Sequence, residues 1–417
     1  METQGKRSVV KDILSIYVPA FFIMTGMSVV SPILSIYAKS FGVDYVLAAL
    51  AISIFAFGRL FADLPVGMLG DRIGRRPVLL IGVLIIAATA FLNAYATSFW
   101  EFLLYRLLEG VGSAMFLTMR VTMLQDILKP EERGRILGYF QAFMLIGSSS
   151  GPTIGGLTAQ YWGLQAPFLV YCAGSLICLV LAYFLIPETG RAHSPSKNQS
   201  KQETVFSWEA IKRLFGNLTY LTACIATFTT FLERQGIRVT LIPLYSSVEL
   251  NLNSAEIGYV TSCAMFTNLL VVIPVGHALD RLGRKKVLVP FLAGLAIVSI
   301  AFPFTRDFVQ IALVCVFLGA CESGTAQSPL TMASDATMNE PHGVAMALYR
   351  VFGDAGYVVG PIMVGALSDM YGLRIPFYAV AALIFVSTAL IQIFAKETLV
   401  KKKKSEPPSG ETISRVE

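Results

Sequence analysis

Twelve long apolar runs follow one another along the chain and limit what it can fold into. A helix that crosses a membrane needs about 20 mostly apolar residues. Runs of that kind occupy 12–38, 44–69, 77–96, 99–126, 133–160, 165–186, 215–247, 254–279, 286–304, 307–333, 342–367 and 374–395. With 55% hydrophobic residues, 14% charged residues and a mean hydropathy of +0.64, the 417-residue chain is too apolar for a soluble helical bundle. We therefore predict an all-α integral membrane protein with twelve transmembrane helices.

An internal repeat divides the twelve runs into two sets of six. The segment Gly67-Met-Leu-Gly-Asp-Arg-Ile-Gly-Arg-Arg76 returns as Gly276-His-Ala-Leu-Asp-Arg-Leu-Gly-Arg-Lys285, which places Asp71 and Asp280 209 positions apart. The same offset relates other pairs, among them Gly110 and Gly319, Gly147 and Gly356, Gly151 and Gly360, and Glu188 and Glu397. Because six is an even number, both copies insert with the same topology. We therefore expect two parallel-repeat six-helix bundles, related by an axis along the membrane normal, with the substrate path between them.

The apolar runs and the polar stretches between them set the predicted domain boundaries. The N-terminal bundle covers 1–186, a polar cytoplasmic linker 187–214, the C-terminal bundle 215–400, and a disordered basic and polar tail 401–417. Most of the 33 Lys and Arg residues lie in segments on the side of the membrane that holds the N-terminus. This bias is typical of cytoplasmic loops. It predicts a multi-pass protein of the cell (inner, cytoplasmic) membrane with both termini in the cytoplasm.

Four motifs give the chain a resemblance to the major facilitator superfamily over nearly its whole length. The repeated ten-residue segment resembles that family's loop 2–3 motif, with its loop 8–9 counterpart. Arg106-Leu-Leu-Glu-Gly-Val-Gly-Ser-Ala114 is similar to the fourth-helix motif, whose arginine the family associates with proton transfer. Gly147-Ser-Ser-Ser-Gly-Pro-Thr-Ile-Gly-Gly156 is similar to a fifth-helix motif of twelve-helix drug/proton antiporters, and Pro187-Glu-Thr-Gly190 to a common end of the sixth helix. The resemblance implies transport by alternating access.

The two repeated loops each hold one acidic residue among several arginines. Asp71 can accept hydrogen bonds from Arg75 or from backbone N–H groups at the start of a neighbouring helix, and Gly67 would let another helix approach closely. The resemblance implies a conformational latch that holds the cytoplasmic side closed and opens during the cycle. A static anchor of basic residues is the alternative. The latch residues are Gly67, Asp71, Arg72, Gly74, Arg75, Gly276, Asp280, Arg281, Gly283 and Arg284.

Small residues line one face of the fifth run. Gly147, Gly151 and Gly155 are spaced four apart, with Gly156 beside them, and such a stripe lets two helix backbones pack closely. Pro152 removes one backbone hydrogen bond and can bend the helix. The spacing indicates packing, whereas the antiporter-type role of these residues is implied by the resemblance.

Charged residues inside the apolar runs are costly in lipid and should face the protein interior. The spacing of four between Arg59 and Asp63, and between Arg350 and Asp354, predicts local pairs. Glu322 has no cation in its own run, which predicts an unpartnered carboxylate, while Glu233 requires Arg238 or another helix as its partner. We take six residues as proton-coupling candidates, with structural salt bridges as the alternative: Asp63, Arg106, Glu109, Glu233, Glu322 and Asp354.

The substrate cavity is predicted between the two bundles. The resemblance implies that the first, fourth, seventh and tenth helices line it. Aromatic and Met side chains would give it an apolar, deformable wall, although lipid-facing or core positions are the alternative for them. The cavity candidates are Phe22, Arg59, Met115, Arg120, Phe231, Arg234 and Arg350.

These features predict a secondary active transporter, most simply a proton-coupled antiporter that exports small lipophilic or drug-like solutes. Uptake or exchange of an organic anion or sugar is the alternative within transport, and a membrane sensor on the same scaffold is the alternative outside it. No nucleotide-binding loop, nucleophile triad or metal-ligand cluster appears in the sequence, so neither an enzyme nor an ATP-driven pump is predicted. We expect a monomer in the lipid bilayer whose partners are a small-molecule substrate and protons. We expect no nucleic-acid partner, and no cofactor beyond the proton gradient as energy source.

Overall fold

The chain folds into fifteen described helices. The computed structural model describes residues 17–127, 133–186, 188–189, 208–337 and 342–399. The predicted tail and most of the predicted linker lie outside these residues. The helices are α1 Tyr17–Val30, α2 Leu34–Lys39, α3 Tyr45–Ile73, α4 Arg75–Ala94, α5 Phe99–Ile127, α6 Arg133–Trp162, α7 Ala166–Leu185, α8 Trp208–Gly216, α9 Leu218–Glu233, α10 Ile242–Val248, α11 Ser254–Leu282, α12 Arg284–Ala301, α13 Phe308–Ala336, α14 His342–Tyr371 and α15 Ile375–Phe394.

These helices make up the predicted twelve-helix membrane fold. Nine of the described helices are long and apolar enough to cross a membrane by themselves. The first predicted span is divided by a turn at 31–33 into α1 and α2. The seventh consists of α9, a π-helical segment Arg234–Leu241, and α10. The remaining span, α6, carries the Gly- and Ser-rich stretch that lowers its hydropathy.

A short amphipathic helix precedes the seventh span. In α8, Ile211 and Leu214 are buried whereas Lys212 and Arg213 are exposed. Asn217 then caps α9 by accepting hydrogen bonds from the backbone N–H groups of Thr219 and Tyr220, at 3.1 and 3.2 Å. The predicted boundary between linker and second bundle, at 214/215, therefore lies inside α8.

The sequence repeat is also a repeat of packing. A side chain on Gly110 of α5 would collide with the backbone carbonyl of Phe55 in α3, and one on Gly319 of α13 would collide with that of Ala264 in α11. Both residues of the second pair lie 209 positions after those of the first. Each half has its own apolar core, the first built from α1–α7 and the second from α8–α15. The two halves are therefore copies of one six-helix bundle.

The halves meet along α3 with α14 and along α6 with α11. We call the side of the molecule with the repeated loops 70–76 and 279–286 the clamp side, and the other the far side. On the far side, Asp369 of α14 accepts hydrogen bonds from the N–H groups of Tyr45 and Val46 at the start of α3, both at 2.8 Å. Gly156 of α6 and Gly258 of α11 leave no room for a side chain between the two helices. The far side is therefore closed.

Candidate transport site

Hydrogen bonds and an ion pair join the halves from the far side to the middle of α3 and α14. Besides the far-side contacts, Ser53 donates to the carbonyl of Val358 at 2.7 Å, and the Thr153 and Ser262 hydroxyls lie 2.7 Å apart. Arg59 and Asp354 form a cross-half ion pair between α3 and α14. Further towards the clamp side, a methyl group on Gly67 or Gly276 would meet no atom within 4 Å. The halves therefore stand apart there, and the interior is accessible from the clamp side in this conformation.

Three cavities lined by described residues lie between the halves, each named here after one residue. The Arg106 cavity, about 210 Å³, lies among α1, α3, α5 and the π-helical segment. The Glu322 cavity, about 430 Å³, adjoins it and shares Ser148, Arg238 and Met265 with it. The Arg120 cavity, about 510 Å³, lies among α3, α5, α9 and α14. The Glu322 and Arg120 cavities have volumes within the range of about 300–1,000 Å³ that is usual for small-molecule sites, whereas the Arg106 cavity alone is smaller.

The Glu322 carboxylate is paired across the second half. Nε of Arg238 lies 3.1 Å from Oε1 of Glu322, and Nε of Arg234 lies 3.9 Å from Oε2. Neither contact is a well-aligned hydrogen bond. The expectation of an unpartnered Glu322 is wrong, because its counter-ions come from the seventh span rather than from its own helix.

The π-helical segment presents both arginines to Glu322. Its wider turns are marked by the hydroxyl of Thr240, which donates to the carbonyl of Gln235 at 2.7 Å, five residues earlier. Gly236 in this segment packs against the backbone of Gly360 in α14. π-helical turns inside α-helices are frequent at functional sites.

Glu233 is a buried carboxylate that has no hydrogen-bonding partner among the described residues. It is fully buried at the last residue of α9, and neither of its carboxylate oxygens accepts a hydrogen bond from any described residue. The predicted pairing with Arg238 does not form here, since Arg238 lies against Glu322. The packing of α13 beside the seventh span places Glu322 against Arg238 instead.

Arg106 and Glu109 form a buried pair on α5, as their spacing predicts. NH1 of Arg106 donates to Oε1 of Glu109 at 2.8 Å, and Nδ2 of Asn93 donates to Oε2 at 3.0 Å. Arg106 also donates to the carbonyl of Ala51 at 3.3 Å and lies over the ring of Phe55. The pair lines the Arg106 cavity with every charged group satisfied.

The two local pairs predicted in α3 and α14 do not form. NH2 of Arg59 instead lies 3.3 Å from Oδ1 of Asp354 in the other half. Asp63 accepts a hydrogen bond from Thr118 of α5 at 3.1 Å, and Arg350 has no ion-pair partner among the described residues. The close approach of α3 and α14 brings Arg59 to Asp354 and so replaces the pairing along each helix.

Most of the predicted cavity residues line a cavity. Arg59, Arg120, Phe231 and Arg350 line the Arg120 cavity, and Arg234 the Glu322 cavity. Met115 and Phe22 line none of the three. Met115 faces Gly82 of α4 inside the first half, and Phe22 packs with Phe21 in its core. Adjacent helical residues point apart, and the sequence does not show which of each pair faces inward.

Several cavity residues were not anticipated. Met24, Met27 and Met265 line the Arg106 cavity together with Tyr357, whose ring lies 5.0 Å from the Arg59 guanidinium carbon. Their spacing on α1 places Met24 and Met27 on one face. Which face meets the cavity depends on how α1 packs.

The glycine stripe on α6 makes a close helix–helix contact. Side chains on Gly147, Gly151 and Gly155 would collide with Phe21, Ser28 and the carbonyl of Val29 on α1. Gly156, one position round, faces α11 of the other half, and the carbonyl of Pro152 points at Gly258 there. The predicted packing role is confirmed.

The repeated loops are built differently from the predicted latch. A methyl group on Gly67 or Gly276 would meet no atom within 4 Å, so the expected close approach of another helix is wrong in this conformation, because the halves are apart on the clamp side. Asp71 is exposed and bonds no described residue. Asp280, with a side chain 80% exposed, lies 3.7 Å from Arg284.

A carboxylate missed in the sequence organises each loop. Glu188 accepts hydrogen bonds from the N–H groups of Arg75 and Arg76, at 3.1 and 3.3 Å. Glu397, 209 positions later, accepts from those of Arg284 and Lys286, at 2.7 and 3.3 Å. An anion at a helix N-terminus is stabilising. The offset between Glu188 and Glu397 was the available signal, although it did not show what the two residues bind.

A glycine in each loop leaves room for the carboxylate to reach the backbone N–H groups. Gly74 and Gly283 have φ values of 102° and 115°, which disfavour any side chain, and a Cβ there would press on Glu188 or Glu397. In the second loop, Arg284 also donates to Asp335 at 3.1 Å and to the carbonyl of Leu279 at 3.0 Å. Each loop therefore joins helices of its own half.

Two six-helix halves around charged cavities that are accessible from one side define a membrane transporter. A family model described as the Major Facilitator Superfamily matches residues 16–246 and 223–416. The chain belongs to that superfamily, as the motifs indicated, and it is a transporter rather than an enzyme.

Individual relatives agree with this assignment. The uncharacterized MFS-type transporter MJ1560 of Methanocaldococcus jannaschii is 23% identical over 87% of this chain and 92% of its own length. Multidrug resistance protein MdtG of Salmonella choleraesuis is 28% identical over 76% of this chain and 78% of its own. A crystal structure of a bacterial homologue of the human lysosomal transporter Spinster, inward-facing and unoccupied, matches with a TM-score of 0.74 at 13% identity, covering 92% of this chain and 96% of its own.

Proposed function

We propose that this transporter exchanges protons for small lipophilic or drug-like solutes and exports them by alternating access. In this proposal it works as a monomer in the cytoplasmic membrane, with the termini and the clamp side in the cytoplasm. The proton gradient is its only energy source. The basic bias of the loops supports this orientation.

The observation that carries proton coupling is the relation between Glu233 and Glu322. Glu322 has Arg238 and Arg234 beside it, whereas Glu233 is fully buried without a hydrogen bond. A buried ionised carboxylate with no hydrogen bond costs several kcal/mol. In the proposed cycle Glu233 therefore carries a proton in this conformation, and it releases that proton when a rearrangement of the π-helical segment brings an arginine to it.

The lining of the Arg106 cavity supports a lipophilic solute. Met24, Met27 and Met265 provide flexible, polarisable surface that adapts to different apolar shapes. Leu34, Ile52 and Val239 extend this surface. The multidrug resistance protein among the relatives is consistent with such a substrate.

Proteoliposomes with a pH-sensitive dye inside would test the proposal. An imposed pH gradient would be challenged with lipophilic cations, organic anions and sugars, and with Glu233→Gln protein as the matched control. We expect proton flux opposite to the movement of a lipophilic solute, and none with Glu233→Gln. Flux in the same direction as the solute, or solute movement without protons, would refute antiport and favour uptake or exchange of an anion or sugar.

A further inference from the structure

A buried arginine without a counter-ion lines the Arg120 cavity. Arg120 on α5 is only 6% exposed, and no carboxylate of the described residues pairs with it. Its guanidinium carbon lies 4.6 Å from the ring centroid of Phe140 and 5.4 Å from that of Phe116. NH1 donates a hydrogen bond to the sulfur of Met144, at 3.8 Å, and Nε has no hydrogen-bonding partner among the described residues. The aromatic rings hold the cation in place, and no carboxylate of the described residues balances its charge.

A second arginine in this cavity comes from the other half of the molecule. Arg350 on α14 lines the same cavity, is exposed, and has no ion-pair partner among the described residues. Next to it, Tyr349 is buried and its hydroxyl accepts a hydrogen bond from Thr227 at 2.5 Å. Donors from both halves line one space.

The other charges in this cavity are already engaged. Arg59 and Asp354 pair with each other, and Asp63 accepts a hydrogen bond from Thr118. In total, three arginines and two carboxylates line this cavity: Arg59, Arg120 and Arg350, with Asp63 and Asp354. The wall therefore carries an excess of positive charge, together with apolar surface from Leu117, Val121 and Phe231.

We propose that the Arg120 cavity binds an amphipathic monocarboxylate, with its carboxylate at Arg120 and Arg350 and its apolar body against Leu117, Val121 and Phe231. Guanidinium groups bind carboxylates through charge-assisted hydrogen bonds. A ligand that contacts residues of both halves binds with a different affinity in each conformation, as a transported solute must. This inference rests on the transport function proposed above and narrows its substrate to lipophilic acids.

Three probes with one apolar body would test this charge preference. The dissociation constants of 4-phenylbutyrate, 4-phenylbutyramide and 4-phenylbutylamine would be measured by thermal-shift titration of the purified full chain near neutral pH. We expect the carboxylate to bind at least tenfold more tightly than the amide, and the amine most weakly. Arg120→Gln and Arg350→Gln should each reduce the preference, and Arg120→Lys should retain part of it. Arg374→Gln, which removes an exposed far-side arginine paired with Glu249, is the matched control and should leave the preference unchanged.

A variant that keeps both arginines makes the test independent of their role in folding. Asp63→Asn removes the opposing charge, so it should tighten binding of 4-phenylbutyrate and leave that of the amide unchanged. Equal binding of the three probes, a preference for the amine, or a carboxylate preference that survives in both Gln variants would overturn the site. Proton-coupled flux of a lipophilic cation with no carboxylate binding would refute this inference alone. Carboxylate binding without proton-coupled flux would support the site and refute the proposed antiport.

Discussion

NH2 of Arg59 lies 3.3 Å from Oδ1 of Asp354, so an ion pair joins the two halves between the far side and the clamp-side opening. Both side chains are partly exposed, at 22% and 24%, and the guanidinium of Arg59 also lies over Tyr357. One residue comes from α3 and the other from α14. The pair must therefore separate or shift if α3 and α14 move relative to each other during transport.

Breaking this pair should destabilise the present conformation. Asp354→Asn or Arg59→Gln should lower stability by about 1–2 kcal/mol, between the values for exposed and buried pairs. Thermal unfolding of purified protein measures the change. The exchanged double variant Arg59→Asp/Asp354→Arg should recover part of the loss, and its failure to do so would show that the two charges act separately. Arg374→Gln, which breaks the more exposed pair with Glu249, should cost less.

Replacing Glu233 should uncouple transport from protons. Glu233→Gln keeps the size of the buried side chain but cannot exchange a proton, so solute-dependent proton flux should vanish while solute exchange between the two sides persists. Flux measured with and without a pH gradient distinguishes proton-coupled transport from uncoupled solute exchange. Unchanged proton coupling in Glu233→Gln would exclude this residue.

Replacing Glu322 should change proton coupling through its effect on Arg234 and Arg238. Glu322→Gln removes the counter-ion of Arg238 and Arg234 and frees them to approach Glu233. We expect coupled transport to be lost, with solute binding retained. Coupled transport that is unchanged would show that Glu322 is not part of the coupling site.

Gly110 and Gly67 allow the effect of a packed glycine on stability to be compared with the effect of an unpacked glycine on transport. Gly110→Ala should destabilise the protein by about 1–3 kcal/mol, because the methyl group collides with the carbonyl of Phe55. Gly67→Ala enters open space and should be neutral or stabilising by up to about 1 kcal/mol, since Ala favours helix. If Gly67 packs closely in the clamp-side-closed state, Gly67→Ala should still slow transport. A stable Gly67→Ala variant with a normal transport rate would exclude close packing of Gly67 in the clamp-side-closed state.

The latch hypothesis makes a separate prediction about Asp71. Because Asp71 bonds no described residue here, its contacts would form in the opposite conformation, and Asp71→Asn should shift the population towards the clamp-side-open state. Single cysteines on the clamp side should become more reactive and those on the far side less so. Equal reactivity in both proteins would favour a static basic anchor.

Stability should depend on pH through Glu397, which lies outside the membrane spans. Burial alone would raise the pKa of Glu397, but backbone N–H groups at Leu399, Arg284, Lys286 and Lys285 outweigh it and hold the pKa below the ordinary 4.5. A lowered folded-state pKa contributes stability above the unfolded-state pKa, and that contribution is lost as the pH falls through the folded-state value. The Tm of Glu397→Gln should therefore be lower than that of the unchanged chain near neutral pH. The difference should narrow below about pH 4.5, and a difference that is constant with pH would contradict this role.

The fold could be predicted because its determinants are local or periodic. Apolar runs long enough to span a bilayer have few alternatives to helix, since lipid offers no partner for backbone polar groups. The offset of 209 showed the duplication, and the collisions expected at Gly110 and Gly319 confirm it. The spacing of Gly147, Gly151 and Gly155 likewise predicted a tight helix contact, because a helix face follows directly from sequence spacing.

The partners of the charged residues could not be predicted in the same way. Sequence spacing indicates only partners on the same helix, which for Arg59 is Asp63. The close approach of α3 and α14 instead brings Arg59 to Asp354. The same holds for Arg238, which meets Glu322 on α13 and leaves Glu233 alone. A pairing between helices depends on which faces meet and at what depth. Both are set by the packing of the whole bundle, and no stretch of sequence records them.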